Sequence, residues 1–216
     1  MVDAVRIPDV LLPAPGVALE KWAVVACDQF TAQLDYWEAV EKLVGDAPST
    51  LRLVYPEAYF LRDGADRAST IHKAMADYLA GGVFAPARSG FILTERTTES
   101  GARLGLMVLI DLAAYDFAPG ARSLIRPTEG TILSRIPPRV RVRKGAPLES
   151  PHVMLLADDP GRTLIEPLYA RRGTLEKLYD VELMLGGGHL RGWAVQDGDA
   201  VLRAMAGLPS LQGDDP

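Results

Sequence analysis

Apolar residues at three- and four-residue spacing, Leu34, Trp37, Val40 and Val44, predict a helix over 33–44 that Gly45, Asp46 and Pro48 bring to an end. A longer helix is predicted over 65–80, with Ile71, Met75, Tyr78 and Leu79 on its apolar face and Gly81-Gly82 as its stop. A short continuous apolar run at 22–26 (WAVVA) reads as a buried strand, 51–55 is a second strand candidate halted by Pro56, and 152–157 reads as another apolar strand. Segments 91–96 and 104–111 flank a polar stretch holding Gly101 and read as a hairpin, with Gly105 expected to mark a bulge. A second hairpin is predicted from 181–185 and 189–195 around Gly186-Gly187-Gly188. A short strand is expected at 163–166, a brief helix at 173–180 and a last helix from Asp197 or Asp199 to Ala206. Residues 1–20, broken by Pro8, Pro13, Pro15 and Gly16, read as extended and irregular, and the tail 209–216 as frayed. Strands and helices mix without regular β-α-β alternation. The chain is therefore expected to be a single α+β domain over residues 1–216, with a mixed or mostly antiparallel sheet and flanking helices.

Charge changes this picture at one place. Residues 122–144, RSLIRPTEGTILSRIPPRVRVRK, hold seven basic residues and one acid, a net of +6. The chain as a whole carries −5, so the remainder sums to −11. Positive charge this dense repels itself and is best tolerated facing solvent, an acidic surface or an anionic ligand. The single acid in the segment is Glu129, beside Gly130 and Thr131. A lone cysteine, Cys27, excludes an internal disulfide framework, and no apolar run is long enough to cross a bilayer. The N-terminus lacks the cationic start of a signal peptide. These features predict a cytoplasmic protein with no membrane partner.

Several chemistries are excluded by the absence of their motifs. There is no GxxxxGK[ST] loop, no GxGxxG after a strand, no HExxH, no CxxC and no GxSxG elbow. Three scattered histidines and one cysteine predict no protein-bound metal. Asp158-Asp159-Pro160-Gly161 reads as a turn. For the basic segment two readings stand. In one, Arg139-Val140-Arg141-Val142-Arg143 is a solvated strand whose alternation puts three arginines on one face and both valines on the other. In the other, Arg126, Arg135, Arg139, Arg141 and Arg143 bind phosphate, Thr131 adds a hydrogen bond, and Glu129 acts as general base toward a hydroxyl. Asp28 and Gln29, where the WAVVA run ends, and His189, after the glycines, are candidates for a substrate pocket, although glycines and histidine also suit a plain hairpin.

The segments KWAVVACDQF (21–30), YW (36–37), GDAPSTL (45–51), SLIRPTEGTILSRIPPRVRVRKGAPLESPHVMLL (123–156) and LMLGGGHLRGW (183–193) resemble a bacterial family known only as domain of unknown function 1015. The resemblance spans nearly the whole chain. It implies that this sequence corresponds to the N-terminal portion of a longer protein, since family members carry an Asp-Gly-Asn/His-His motif further downstream. Asp197-Gly198-Asp199 is not that motif. The family is in turn similar to the ParB/sulfiredoxin-like superfamily, whose free-serine kinases pair a catalytic glutamate with a downstream Asp-Gly-x-His-Arg segment. That likeness implies a partly ParB-like fold, with Glu129 as base and Arg126 as a phosphate contact.

Together these readings predict a kinase for a small hydroxyl substrate such as free serine. ATP or ADP would arrive with Mg²⁺, and activity would depend on a C-terminal half outside this chain. The alternatives are a non-catalytic nucleotide- or nucleic-acid-binding module, or a structural fragment. A net charge of −5 and few aromatics near the basic segment weigh against nucleic acid.

Overall fold

The computed structural model describes residues 4–25, 30, 32–60, 67–116, 118, 120–121, 125, 130 and 132–208. The fold is α+β, and every strand ladder among the described residues is antiparallel. Its centre is a four-stranded sheet made from two hairpins. Strands β4 (Phe91–Thr98) and β5 (Gly101–Met107) form one, and β7 (Lys177–Leu183) and β8 (Gly188–Val195) the other. Pairing of β4 with β8 joins them in the order β5-β4-β8-β7. Short strands complete the sheet structure. β1 (Val5–Arg6) pairs with β6 (Leu109–Ile110), and β2 (Asp9–Val10) with β3 (Arg88–Ser89), so part of the stretch expected to be irregular is held in ladders.

Alternation along the strands gives each sheet face its own cover. Val181, Leu183 and Leu190 pack with Val25, Trp37, Val40 and Val44, where the last three lie on helix α2 (Leu34–Val44) behind the short helix α1 (Leu19–Trp22). Phe91, Leu93, Trp193 and Val195 face the other way. They meet Leu168 of helix α5 (Ile165–Ala170) and Val201 of helix α6 (Gly198–Ala206). The Asp197 side chain caps α6 by accepting from Ala200 N–H at 3.0 Å. A third apolar cluster sits beside the sheet. In it Ala68, Ile71 and Met75 of helix α3 (Arg67–Ala80) meet Trp22, Leu53 and Val142, the last on helix α4 (Ile136–Arg143).

Several sequence expectations are corrected. The run at 22–26 does not form a strand: Trp22 ends α1, and residues 23–25 are irregular but packed. Residues 50–53 form a 3-10 turn, because the Ser49 hydroxyl caps it by accepting from Leu51 N–H. Apolar residues such as Val25, Leu51 and Leu53 are buried in these segments, and burial alone does not select a strand. In place of the strand at 163–166, α5 begins at Ile165 after Asp159 accepts from Thr163 and Leu164 N–H. The helix expected at 173–180 is a 3-10 turn, Arg172–Thr174, followed by β7. Gly105 makes no bulge. It pairs in regular register with Thr94, and a Cβ there would come within 2.9 Å of the Thr94 hydroxyl. Residues 152–157 form no strand and lie exposed. No helix among the described residues is long and apolar enough to cross a membrane.

Candidate functional site

Residues 139–143 fold as helix where one reading of the sequence had a strand. Leu133–Arg135 make a 3-10 turn that runs into α4, and Pro137 and Pro138 occupy its first turn. Proline is at home there, because the first-turn N–H groups have no intrahelical acceptor to lose. The period-two pattern of RVRVR is overridden by packing: Val142 is buried against α3, while Val140 is 51% exposed. His72 on α3 donates Nε2–H to the Val142 carbonyl at 2.6 Å, which satisfies one of the helix's terminal acceptors.

Helix geometry also redistributes the arginines. Arg139 and Arg143 are one turn apart, whereas Arg141 points about 200° away from Arg139. Arg135 packs its guanidinium on Glu57 (Nε–Oε1 2.6 Å), and the second Glu57 oxygen is buried without a hydrogen-bond partner among the described residues. Arg143 pairs with Glu149 and reaches the Pro151 carbonyl at 3.4 Å. Arg139, Arg141 and Lys144 are exposed, with no ion-pair partner among the described residues. Arg126, Glu129 and Thr131 lie outside the described residues, as do Asp28 and Gln29.

The glycine turn is a packing device. Gly187 lies so close to Val25 that a Cβ would sit 2.6 Å from its Cγ2. The Gly187 N–H is taken by Met184 O, and its carbonyl accepts from Arg96 Nε and Nη2 at 3.0 and 2.7 Å. The turn thus touches the end of the run that leads toward Asp28 and Gln29, which lie more than 150 positions away in sequence. His189 points to the other sheet face. Its ring nitrogens meet Asp180 and Glu182, which alternate with the core residues Val181 and Leu183.

On that face the structure reveals a polar row that sequence reasoning missed. Buried Glu95 accepts from the Tyr169 hydroxyl and, at 3.2 Å, from Arg191 Nη1. Arg191 lies across from Asp180, which also binds Lys177 at 2.7 Å. A signal was present. Glu95 shares its strand phase with Phe91 and Leu93, and Arg191 shares its phase with Trp193 and Val195, so both charges were due on the inward face. The groups satisfy one another, which identifies a structural network. Among the described residues no group of three His, Cys, Asp or Glu side chains could hold a metal ion. Two shallow recesses, of about 280 and 390 Å³, flank Gln196 and Asp197, and neither is lined by the basic segment or His189.

The network makes stability depend on pH. Hydrogen bonds to Asp180 and then Glu182 raise the His189 pKa above its ordinary value. A raised folded-state pKa contributes fully below the unfolded value, about 6.5, and its contribution is lost as pH rises through the folded value. Thermal stability is therefore expected to fall from pH about 6.5 upward, in a step that His189→Asn abolishes. Melting curves of both proteins across that range check this, and an identical pH profile for the variant contradicts it.

A family model matches residues 11–211, nearly all the elements described above, including α4 and the glycine turn. The chain belongs to the DUF1015 family, described as proteins of unknown function. Comparison with curated proteins and with solved structures gave no match. For this DUF1015 chain, function is therefore argued from its own chemistry.

Proposed function

We propose that this DUF1015 chain binds phosphorylated ligands through its basic segment, as part of a kinase that phosphorylates a small hydroxyl compound such as free serine. The observation that supports this most directly is Arg139. Arg141 and Arg143 lie in the last turn of α4, where the negative end of the helix dipole favours cations. Arg135, at the unfavourable N-terminal end, is offset by Glu57. Arg139 stands mid-helix, fourth of the eight residues of α4, where it is exposed and has no carboxylate partner among the described residues. Its charge faces solvent and is open to an anionic ligand.

In this reading Arg139 joins Arg126, Arg135, Arg143 and Thr131 in holding phosphate oxygens, Arg141 projects from the opposite side of α4, and Glu129 accepts the proton of the substrate hydroxyl. Phosphoryl transfer asks a protein for positioning and charge neutralisation more than for covalent chemistry. Mg²⁺ brought with ATP or ADP supplies further neutralisation. If the family resembles the ParB/sulfiredoxin-like superfamily as expected from the sequence, its serine kinases imply the same role for Glu129. The rival, a non-catalytic nucleotide- or nucleic-acid-binding module, uses the same arginines without Glu129.

A thermal-shift titration with ATP, ADP and pyrophosphate, each with Mg²⁺, tests the reading. Near a hundredfold excess over Kd, a ligand is expected to add about 2.7 kcal/mol and raise Tm by about 5–10 °C. Arg139→Ala is expected to weaken binding roughly tenfold or more. Glu129→Gln is expected to keep the shift here and, in a full-length parent, to lose turnover of serine. No shift, from a chain that melts cooperatively, contradicts phosphate binding. Oligonucleotide binding with steep salt dependence, and no nucleotide response, favours the rival.

A further inference from the structure

We propose that Thr94, Arg96 and Arg103 form a phosphate-binding patch on the sheet face that α2 packs against, toward its β5 edge. The inference does not rest on the reading of the basic segment. Arg96 on β4 and Arg103 on β5 are in direct register, so both side chains stand on the same face, one strand apart. Like charges directly opposite one another destabilise a ladder unless something offsets them. No position that shares their face on β4, β5 or β8 holds an acid. Arg103 is exposed, and its side chain has no hydrogen bond or ion pair among the described residues.

The surroundings hold these donors in place and keep the strand beside them bare. Arg96 is half-buried, and its Nε and Nη2 donate to the Gly187 carbonyl at 3.0 and 2.7 Å. Burial and then the Arg103 charge lower the Arg96 pKa from its ordinary value, so the second cation is close enough to be felt. Thr94 lies two positions before Arg96 and so shares its face, and its hydroxyl has no hydrogen-bond partner among the described residues. Gly105 stands across from Thr94, where a Cβ would crowd the Thr94 Oγ1 at 2.9 Å. A Cβ at Gly101, on the other side of Arg103, would meet nothing within 4 Å. Glycine on both sides of Arg103 thus leaves this face of β5 open to a ligand. The Tyr179 ring lies on Gly192, the β8 partner of Thr94, and closes that side. Two guanidinium groups and a hydroxyl suit an oxyanion. A carboxylate offsets only one of the two positive charges. A phosphate group, which carries about −1.5 to −2 at pH 7, offsets both, and this selects phosphate as the ligand class.

A titration of the isotope-labelled chain with inorganic phosphate, read from backbone amide chemical shifts, tests this. The amides of Thr94, Arg96, Arg103 and Gly105 are expected to move together with a common Kd. Arg103→Gln, at an exposed position, is expected to weaken the response roughly tenfold, and Thr94→Val about threefold. Without phosphate and at low salt, Arg103→Gln is expected to raise Tm by up to about 4 °C, because it removes the repulsion. A residue with only a packing role does not combine a higher Tm with weaker binding. No amide response overturns the proposal, as does a response that Arg103→Gln leaves intact. A response confined to α4 also overturns it and leaves the basic segment as the phosphate site. A response on β4 and β5 with none on α4 supports it and counts against the basic segment. An equal response to acetate at the same concentration overturns the choice of phosphate.

Discussion

Trp37→Ala is expected to cost about 3–5 kcal/mol of stability, a large part of the roughly 5–15 kcal/mol available to a domain. Trp37 is the largest fully buried side chain, and it lies in the cluster that seals α2 against the sheet. Its ring meets Tyr36 edge-on at 5.2 Å, and its Nε1–H donates to Phe30 O at 2.9 Å. Truncation removes the apolar surface, leaves a cavity and orphans that carbonyl. Leu43→Ala on the same helix is the control. Leu43 is 46% exposed, and its loss is expected to change stability by less than about 1 kcal/mol. Urea denaturation should show a lower midpoint for Trp37→Ala with an unchanged slope. A loss below about 1 kcal/mol would mean that α2 is not anchored by this residue.

Gly188→Ala is expected to cost about 2–5 kcal/mol. About 1–2 of that comes from a left-handed backbone and about 1–3 from forced displacement. Gly188 has φ +87°, and a Cβ there would come within 2.2 Å of the Thr97 carbonyl oxygen on β4. Backbone cannot swing aside as a side chain can, so the β4–β8 ladder must open at that end. Gly186 separates the two contributions. It too has positive φ, +70°, but nothing lies within 4 Å of its would-be Cβ. Gly186→Ala is therefore expected to cost only the backbone part, about 1–2 kcal/mol. Chemical denaturation of the two variants side by side tests the ordering, and equal losses would show that the clash is relieved without cost.

Where the apolar pattern is long and periodic, the sequence predicted the structure well. α2 and α3 carry several turns of one-sided spacing, and both hairpins carry alternation on either side of glycine. The failures share a cause. Five-residue stretches such as RVRVR or WAVVA hold too little periodicity to outweigh a contact made elsewhere, and α4 is a helix because Val142 and the Val142 carbonyl find partners on α3. β7 began earlier than expected because its register shifts between Lys177 and Tyr179, which hides the alternation. The candidate site was legible as charge density. It was not legible as geometry, since helical phase splits Arg139 from Arg141 and no local feature announces Glu57 as the counter-charge of Arg135.

The sheet is assembled from two local hairpins, 91–107 and 177–195, joined among the described residues by the ladder of β4 with β8. Each hairpin can zip quickly, but their docking must close the long stretch between them, and that non-local step is where folding speed is set. The same arrangement leaves α4 and the segment after it on an excursion anchored at both ends by the sheet. Doubling the length of such an excursion costs only about 0.6 kcal/mol in closure entropy. Loop residues of this excursion that do not pack, unlike Val142 and Leu168, can therefore be lengthened at small cost while the strands keep their pairing.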